Sequence, residues 1–226
     1  MLGNRIAYVL YDTILKLKIV MNIYFVRHGE TESRANGQYQ DYNAHLSDKG
    51  FLQVRALATR FQNIDITKII SSSLDRALDT AKEISTVKNL PLEKSELFIE
   101  RKRPSVIYSM DRKGEDAKKI EQMILDNYCD INWHYSDEEN FLDLKNRALK
   151  AIKFLEGIIV DTVVVTHSTF LKMIALAMIF QDNVTPEIFL DFDEHAWCTN
   201  AGITQFDYSD SKWHMITWSD QAHLGE

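Results

Sequence analysis

Short apolar runs that end in polar residues recur along the chain and predict buried strands. The clearest runs are 22–26, 68–71 and 162–166, which are rich in β-branched and aromatic side chains. A weaker run at 97–99 predicts the end of a further strand. Each of these runs is too short for a helix, so we read them as strands of one buried sheet.

Between these runs, apolar residues recur at intervals of three and four and predict amphipathic helices. One helix is predicted to begin after Ser47, a typical N-cap, and another follows the run at 68–71. A long helix is predicted to begin at a capping box formed by Ser136 and Glu139. The inner face of the first helix is predicted to carry Phe51, Val54, Ala58 and Phe61.

Alternation of strands and helices predicts an α/β fold with a central, mostly parallel sheet and helices on both faces. The last two runs, 202–208 and 212–218, flank a polar turn and predict an antiparallel C-terminal hairpin. In such sheets ligands bind beyond the carboxyl ends of the strands. Arg27 and His28 follow one predicted strand and His167 follows another, so we expect these side chains to meet at one edge of the sheet.

The length of 226 residues, 45% of them hydrophobic, and the scarcity of Gly and Pro predict a single domain. The apolar stretch 6–20 is interrupted by charged residues, so it predicts neither a membrane span nor a signal peptide. Met21 directly precedes the first strong strand. We therefore expect residues 21–226 to be the domain, and residues 1–20 to be an upstream translated extension outside the native protein, or else a short helix.

Charge and cysteine content limit the classes of partner. A formal net charge of −7 argues against a general nucleic-acid binder, although an acidic protein can still hold a locally positive site for a small anion. Cys129 and Cys198 are far apart and form no disulfide framework, which suits the cytoplasm. We expect no membrane partner, and the pattern predicts no oligomeric state.

Four residues together are typical of phosphoryl transfer. The guanidinium groups of Arg27 and Arg76 can donate paired hydrogen bonds to phosphate oxygens. His28 can attack phosphorus directly and divide the displacement into two steps. His167, when protonated, adds another donor, and its position before a predicted helix brings backbone N–H groups toward an anion. Each residue alone is more often structural, so the hypothesis depends on all four meeting.

Four stretches in order resemble the signature segments of the histidine phosphatase superfamily, also called the phosphoglycerate mutase-like family. The first, Ile-Tyr-Phe-Val-Arg-His-Gly-Glu-Thr at 23–31, follows the pattern of its nucleophile strand. The resemblance runs from about residue 22 to residue 218. The other three stretches are His-Leu-Ser-Asp-Lys-Gly at 45–50 with Gln53, Ser-Ser-Leu-Asp-Arg-Ala at 72–77 with Thr80 and Ala81, and Val-Val-Val-Thr-His at 163–167.

The resemblance implies a phosphomonoester hydrolase that uses no metal and no cofactor. It implies that His28 is the phosphorylated nucleophile and that Arg27, Arg76 and His167 hold the phosphoryl oxygens. Glu100, in the sequence Phe-Ile-Glu-Arg, matches the family's general acid and base, with Glu96 as the competing candidate. The implied partner is a small phosphorylated substrate.

Departures from the family pattern bear on the substrate. Arg34 stands where many relatives have Asn, and Ser168 follows the second histidine where many have Gly. We therefore predict that Arg34 and Ser168 contact the substrate. The segment 101–103, Arg-Lys-Arg, either grips a second anionic group or forms a solvated basic turn. The stretch 102–133 is predicted to form the lid that selects the substrate.

Three alternatives stay open. A phosphoglycerate mutase would return the phosphoryl group to its substrate, but the text after Glu100 lacks the Tyr-Gly that mutases carry. A binding protein could have kept the fold and lost catalysis. A metal-dependent hydrolase has weak support, because His195 and Cys198 have only loose ligand spacing and no second pair accompanies them. His195 is instead predicted to lie in a loop over the site.

Overall fold

The computed structural model of the protein describes residues 20–225, which contain a six-stranded sheet. The strands follow the spatial order β3-β2-β4-β1-β5-β6. Their bounds are β1 Met21–Arg27, β2 Lys68–Ser71, β3 Leu92–Lys94, β4 Thr162–Thr166, β5 Ile203–Ser209 and β6 Lys212–Asp220.

The first four strands are parallel, β5 runs in the opposite direction, and β6 reverses again. β1 and β2 both pair in parallel with β4, and β3 adds in parallel to β2. β5 is antiparallel to β1, and β6 pairs with β5 in the antiparallel C-terminal hairpin. The prediction of a mostly parallel sheet with a final hairpin is confirmed.

Seven α-helices connect and cover the strands within residues 20–225. Each of the longer ones carries an apolar face, and short 3-10 turns link several of them. Their bounds are α1 Glu32–Ala35, α2 Asp48–Phe61, α3 Asp75–Lys88, α4 Glu115–Asp126, α5 Phe141–Glu156, α6 Ser168–Phe180 and α7 Pro186–His195.

The sheet separates two hydrophobic cores. Alternate strand residues, including Phe25 and Val164, face α5, α6 and α7, whereas their neighbours Val26 and Val165 face α2 and α3. Because both faces are covered, all five residues of β4 are buried, as expected for the centre of a parallel sheet. Nine consecutive residues of α6 are buried, because this helix is packed between the sheet and two other helices.

Three local predictions were wrong. The run 97–99 is not a strand end, because residues Glu96–Phe98 form a 3-10 turn and the strand lies earlier. The capping box of α5 uses Asn140 and Asp143 instead of Ser136 and Glu139. Phe51 is 37% exposed, because the face of α2 that packs inward is centred on Leu57 and Phe61.

The helices α4 and α7 were not predicted at all. The expectation that residues 1–20 are an upstream extension falls, apart from Val20, outside the described residues. Among residues 20–225, no helix is long and apolar enough to cross a membrane.

Candidate active site

The carboxyl ends of three neighbouring parallel strands meet at one edge of the sheet. The end of β1 is in register with the end of β4, where Arg27 pairs with Thr166. The backbone then continues this alignment, since the amide of His28 donates to the Thr166 carbonyl at 3.0 Å. On the other side of β4, the amide of Ser72 donates to the Val165 carbonyl at 2.9 Å. Strand register therefore brings His28, Ser72 and His167 together.

The loop after His28 packs closely on the start of α2. A Cβ atom on Gly50 would lie 2.0 Å from the Glu30 carbonyl oxygen, and one on Gly29 would lie 2.9 Å from the Gly50 oxygen. Only glycine permits this approach of two backbones. The Glu30 amide donates to Gln53 Oε1 at 2.9 Å, and the Gly29 amide donates to Thr80 Oγ1 at 3.1 Å. These contacts explain physically why the signature stretches carry Gly, Gln and Thr.

The ring of His28 is fixed in one orientation. Its Nδ1 lies 2.7 Å from the Gly29 carbonyl oxygen, which can only accept, so Nδ1 carries the proton and Nε2 keeps its lone pair. His28 is 2% exposed. Burial lowers its pKa well below the ordinary value, and the positive charges of Arg76 and Arg27 lower it further. The imidazole is therefore neutral near pH 7.

His167 lies beside His28, with the two ring centroids 5.0 Å apart. Its Nε2 is 2.8 Å from Ser72 Oγ, whereas its Nδ1 is buried and has no hydrogen-bond partner within residues 20–225. Burial lowers the pKa of His167 well below the ordinary value, and the charge of Arg76 adds to the effect. A negative charge bound nearby would favour the protonated form of this ring.

Arg27 and Arg76 supply guanidinium groups at the same place. Arg27 Nη1 donates to the Cys198 carbonyl, and Arg76 Nη1 donates to the Asp41 carbonyl at 3.0 Å. In both arginines, the Nε atom is buried and has no hydrogen-bond partner among the described residues. Burial also lowers the pKa of Arg76 to about 10. Buried donors are nearly always paired, so these atoms suit an incoming anion. We call Arg27, His28, Arg76 and His167 the strand-end cluster.

Glu100 faces the same cavity from the segment after β3. Its carboxylate accepts backbone N–H bonds from Arg101 at 2.9 Å, Phe170 at 3.0 Å and Thr169 at 3.2 Å. Two of these donors belong to the first turn of α6, which directly follows His167. Glu100 is therefore held beside the cluster by α6. Glu96, the competing candidate, does not line the cavity and lies in the 3-10 turn before Glu100.

Arg147 of α5 orients the segment that carries Glu100, a role that the sequence analysis missed. Its guanidinium donates to the carbonyls of Leu97 at 3.1 Å, Ile99 at 2.8 Å and Glu100 at 3.4 Å. It also pairs with Glu139 through two bonds of 2.7 Å. A signal was present: Arg147 lies on the apolar stripe of α5, three residues after Leu144 and four before Ala151.

An open cavity of about 740 Å³ spreads above the strand-end cluster. Arg27, Arg76 and Glu100 line it, as do Arg34 and Ser168, the two residues predicted to contact substrate. Nine lining side chains are Lys or Arg and five are Asp or Glu, so the cavity is locally basic in a protein of net charge −7. Trp197, 84% exposed at the rim, was not predicted.

The basic segment 101–103 lines the cavity, but its residues are paired. Arg101 is buried and bonds to Glu138 at 2.9 Å, and Lys102 lies 3.2 Å from Asp137. Arg103 is paired with Glu121 of α4. The segment is therefore not a freely solvated turn.

Two observations bear on the alternative of a metal-dependent hydrolase. His195 does not lie in a loop over the cavity, since it is the exposed last residue of α7 and is not among the lining residues. Within residues 20–225, no group of three or more His, Cys, Asp or Glu side chains could hold a metal ion.

Comparison with known proteins places the chain in a family. The model of the histidine phosphatase superfamily (branch 1) matches residues 23–221. The chain belongs to this superfamily. A Schizosaccharomyces pombe protein named "Probable phosphatase" is 24% identical over 211 residues, which cover 90% of this chain and 95% of that protein. An Escherichia coli protein named "Probable phosphoglycerate mutase GpmB" is 40% identical, but over only 29% of this chain and 31% of its own length.

A solved structure supports the fold. The phosphoserine phosphatase of Entamoeba histolytica, in complex with 3-phosphoglyceric acid, superposes with a TM-score of 0.73 at 18% identity. The superposition covers 90% of this chain and 99% of that one. The superfamily and its phosphatase or mutase relatives support an enzyme.

Proposed function

We propose that the protein hydrolyses phosphomonoesters in two steps through a phosphohistidine on His28, without a metal ion. The observation that carries the proposal is the state of His28. It is buried and neutral, and its Nδ1 proton is held by the Gly29 carbonyl, so that Nε2 is the nitrogen left to react. The buried, unpartnered Nε atoms of Arg27 and Arg76 and Nδ1 of His167 lie close to it and suit phosphoryl oxygens once His167 is protonated.

In the first step, His28 Nε2 forms a bond to phosphorus as the bond from phosphorus to the ester oxygen breaks. The donors of the strand-end cluster stabilise the charge on the equatorial oxygens. A phosphate dianion supplies the negative charge that the empty cluster lacks, so we expect it to raise the pKa of His167 and make this ring a donor. The substrate can bind as the monoanion, because a phosphate monoester has a second pKa of about 6, and pass its proton to Glu100. The bound phosphate is then the dianion, and Glu100 gives that proton to the leaving oxygen.

In the second step, Glu100 takes a proton from a water molecule, which attacks phosphorus as the bond to His28 Nε2 breaks. Inorganic phosphate is released, and His28 returns to its neutral form. The three backbone donors on the Glu100 carboxylate support this role, because they aim its oxygens at a fixed place beside the cluster.

Trapping the intermediate tests the proposal. Wild-type protein in EDTA should release phosphate from p-nitrophenyl phosphate, and rapid quenching should yield a phosphoprotein that is labile in acid and stable in base. Mass spectrometry should place the group on His28. Turnover without a trapped phosphohistidine, or activity abolished by EDTA and restored by a metal ion, would contradict the mechanism.

A phosphoglycerate mutase is the second candidate, because of the 67-residue stretch that is 40% identical to the Escherichia coli protein. The stretch after Glu100, Arg-Lys-Arg-Pro at 101–104, counts against it because it lacks the Tyr-Gly of mutases. A coupled assay that follows conversion of 3-phosphoglycerate to 2-phosphoglycerate separates the candidates. Isomerisation faster than phosphate release would favour the mutase.

We also propose the cytoplasm as the place where the protein acts. The support is that Cys129 and Cys198 are both free, the first exposed and the second buried. Cell fractionation tests this proposal, and recovery of the protein in an oxidising compartment would contradict it.

A further inference from the structure

Three arginines form one side of the cavity, away from the strand ends. Arg34 lies in the last turn of α1, while Arg103 and Arg112 lie on the chain between Glu100 and α4. All three line the cavity. We call them the arginine wall. The guanidinium carbons of Arg112 and Arg103 lie 4.6 Å and 5.6 Å from the centre of the same Tyr39 ring, so one aromatic ring holds two cations.

The three charges of the arginine wall act on each other. Partial burial lowers the pKa of Arg34, and the charges of Arg27 and Arg103 lower it further. Partial burial likewise lowers the pKa of Arg112, with further lowering by Arg34 and Arg103. Arg34 therefore links the wall electrostatically to Arg27 of the strand-end cluster. Like charges held together repel, so the arrangement favours an anion between them.

The acidic groups that face the wall neutralise only part of its charge. Glu121 pairs with Arg103 and also bonds to the Tyr39 hydroxyl. Glu30 lies near Arg34, but its carboxylate accepts from Ser47 Oγ at 3.2 Å and lies 3.8 Å from Lys49 Nζ.

Neither Arg34 nor Arg112 forms an ion pair with a carboxylate of the described part of the chain. Glu121 pairs with Arg103, and Glu30 and Glu100 act on Arg34 and Arg103 from a longer distance. Two guanidinium groups without an ion-pair partner favour a doubly charged anion such as a phosphate dianion.

Backbone hydrogen bonds hold the wall in place before any ligand arrives. The Tyr39 amide donates to the Met110 carbonyl at 3.0 Å, and the Ser109 amide donates to the Tyr39 carbonyl at 3.1 Å. The Arg112 amide donates to the Gly37 carbonyl at 3.0 Å. The segments that carry the arginines are thus tied into one unit, and a preformed site loses little free energy on binding.

We propose that the arginine wall binds a second phosphate group, and that the substrate is a phosphomonoester carrying a further phosphate at its other end. The inference rests on the proposed function for the identity of the reacting phosphate, which the strand-end cluster would bind. The distal phosphate would lie among Arg34, Arg103 and Arg112, where guanidinium groups can donate in pairs to its oxygens. The cavity volume of about 740 Å³ leaves room for a small molecule that spans both places.

Binding of compounds that cannot be hydrolysed tests the wall independently of catalysis. Calorimetry on the wild-type protein should compare alkyl monophosphonates with α,ω-alkane bisphosphonates and ω-carboxyalkyl phosphonates of two to six carbons. At one chain length the bisphosphonate should bind about tenfold or more tightly than the monophosphonate. It should also bind more tightly than the carboxylate. Equal binding of all three compounds at every length would overturn the proposal, and equal binding of the carboxylate and the bisphosphonate would overturn the assignment to phosphate.

Variants of the arginine wall test whether its residues cause the preference for the bisphosphonate over the monophosphonate. Arg112→Ala and Arg34→Ala should each reduce the ratio of bisphosphonate to monophosphonate affinity about tenfold, whereas Arg55→Ala, an exposed arginine of α2 that does not line the cavity, should retain the ratio. Because a ratio is measured, a general change in folded fraction cancels. An unchanged ratio in both wall variants would overturn the proposal.

Kinetics distinguish failure of the inference from failure of the proposed function. The matched substrates are α,ω-alkanediol bisphosphates and the corresponding monophosphates, compared by kcat/KM. A bisphosphonate preference without hydrolysis of any ester would overturn the proposed function and leave the subsite standing. Hydrolysis of all esters without any preference in binding or kcat/KM would overturn the subsite and leave the phosphatase standing.

Discussion

The strand-end cluster lies beneath the cavity and lines it through Arg27 and Arg76, whereas all three residues of the arginine wall line it, and the two regions are built differently. The cluster sits where three parallel strands end, and His28, Arg76 and His167 are each at most 3% exposed. The wall sits on connecting segments, where Arg34 and Arg112 are exposed. Positions at strand ends are fixed by the register of the whole sheet, whereas loop positions can change without disturbing the cores. We therefore expect the chemistry at the cluster and the choice of substrate at the wall.

Burial also determines how much each region can contribute. His28, Arg76 and His167 of the cluster are buried, so each acts in a lower dielectric and its removal leaves other buried groups unpaired. At the wall, solvent screens the charges, so each arginine contributes less and depends on ionic strength. Substitutions should therefore reduce kcat/KM strongly in the cluster and moderately in the wall.

The largest effect is expected at His28. His28→Ala removes the atom that forms the bond to phosphorus, so kcat/KM should fall about 10⁴-fold or more. Steady-state kinetics on p-nitrophenyl phosphate measure this, with circular dichroism to show that the fold is retained. His45→Ala is the matched control, because His45 is exposed and bonds to Asp79 on the surface. Wild-type rates in His28→Ala would place the chemistry elsewhere.

A second large effect concerns Glu100 and depends on the leaving group. Glu100→Gln should slow phosphorylation by alkyl phosphates about 10² to 10⁴-fold, because their alkoxides need a proton, and should affect p-nitrophenyl phosphate little. For p-nitrophenyl phosphate, an intact burst should precede a slow steady state, because the base for the second step is missing. Stopped-flow kinetics measure both. An equal loss of burst rate with both leaving groups would leave Glu100 as a positioning residue.

For Arg76, we expect a loss of about 3 kcal/mol of transition-state stabilisation, about 150-fold in kcat/KM, when it is replaced by Ala. Arg76→Lys should restore only part of this, because an ammonium group cannot donate in a planar fork. Arg55→Ala on the exposed face of α2 serves as the control. Full activity in Arg76→Ala would contradict the assignment of the cluster to phosphate binding.

Ionic strength sharpens the comparison between the two regions. On an α,ω-alkanediol bisphosphate, Arg34→Gln should reduce kcat/KM about tenfold in 20 mM salt and only about threefold in 0.5 M salt. The loss caused by Arg76→Ala should be the same at both concentrations, because its guanidinium is shielded from the ions. Kinetics of both variants across a salt series measure this. Parallel salt dependence would mean that the regions do not differ in screening.

The last effect concerns how the free energy of unfolding depends on pH. The folded-state pKa values of His28 and His167 are lowered, so below about pH 6.5 the unfolded chain binds protons that the folded chain does not. The free energy of unfolding should therefore fall with falling pH, by about 1.4 kcal/mol per unit for each histidine. Urea unfolding of wild type and His167→Gln between pH 5 and 7 should show a shallower slope in the variant. Identical slopes would contradict the buried neutral state of His167.

Local signals in the sequence were sufficient for much of the fold. β2 and β4 were predicted with their exact bounds, because each is a short apolar run that is buried on both faces. Ser47 was identified as an N-cap, and it accepts the Gly50 amide at 3.1 Å. The capping box of α5 was misplaced, because Ser136 and Asn140 offer similar side-chain chemistry and tertiary packing selects between them.

By itself, the sequence determined β1, β2, β4, the C-terminal hairpin and the residues placed at the strand ends, because neighbouring residues encode burial and capping. Only the tertiary structure decided what those residues meet. Distant positions are joined by the two α6 amides that donate to Glu100, by the bonds of Arg147 to the Glu100 segment, and by the stacking of Arg103 and Arg112 on one ring. Such contacts depend on how the helices pack against the sheet, and patterns of neighbouring residues in the sequence do not reveal that packing.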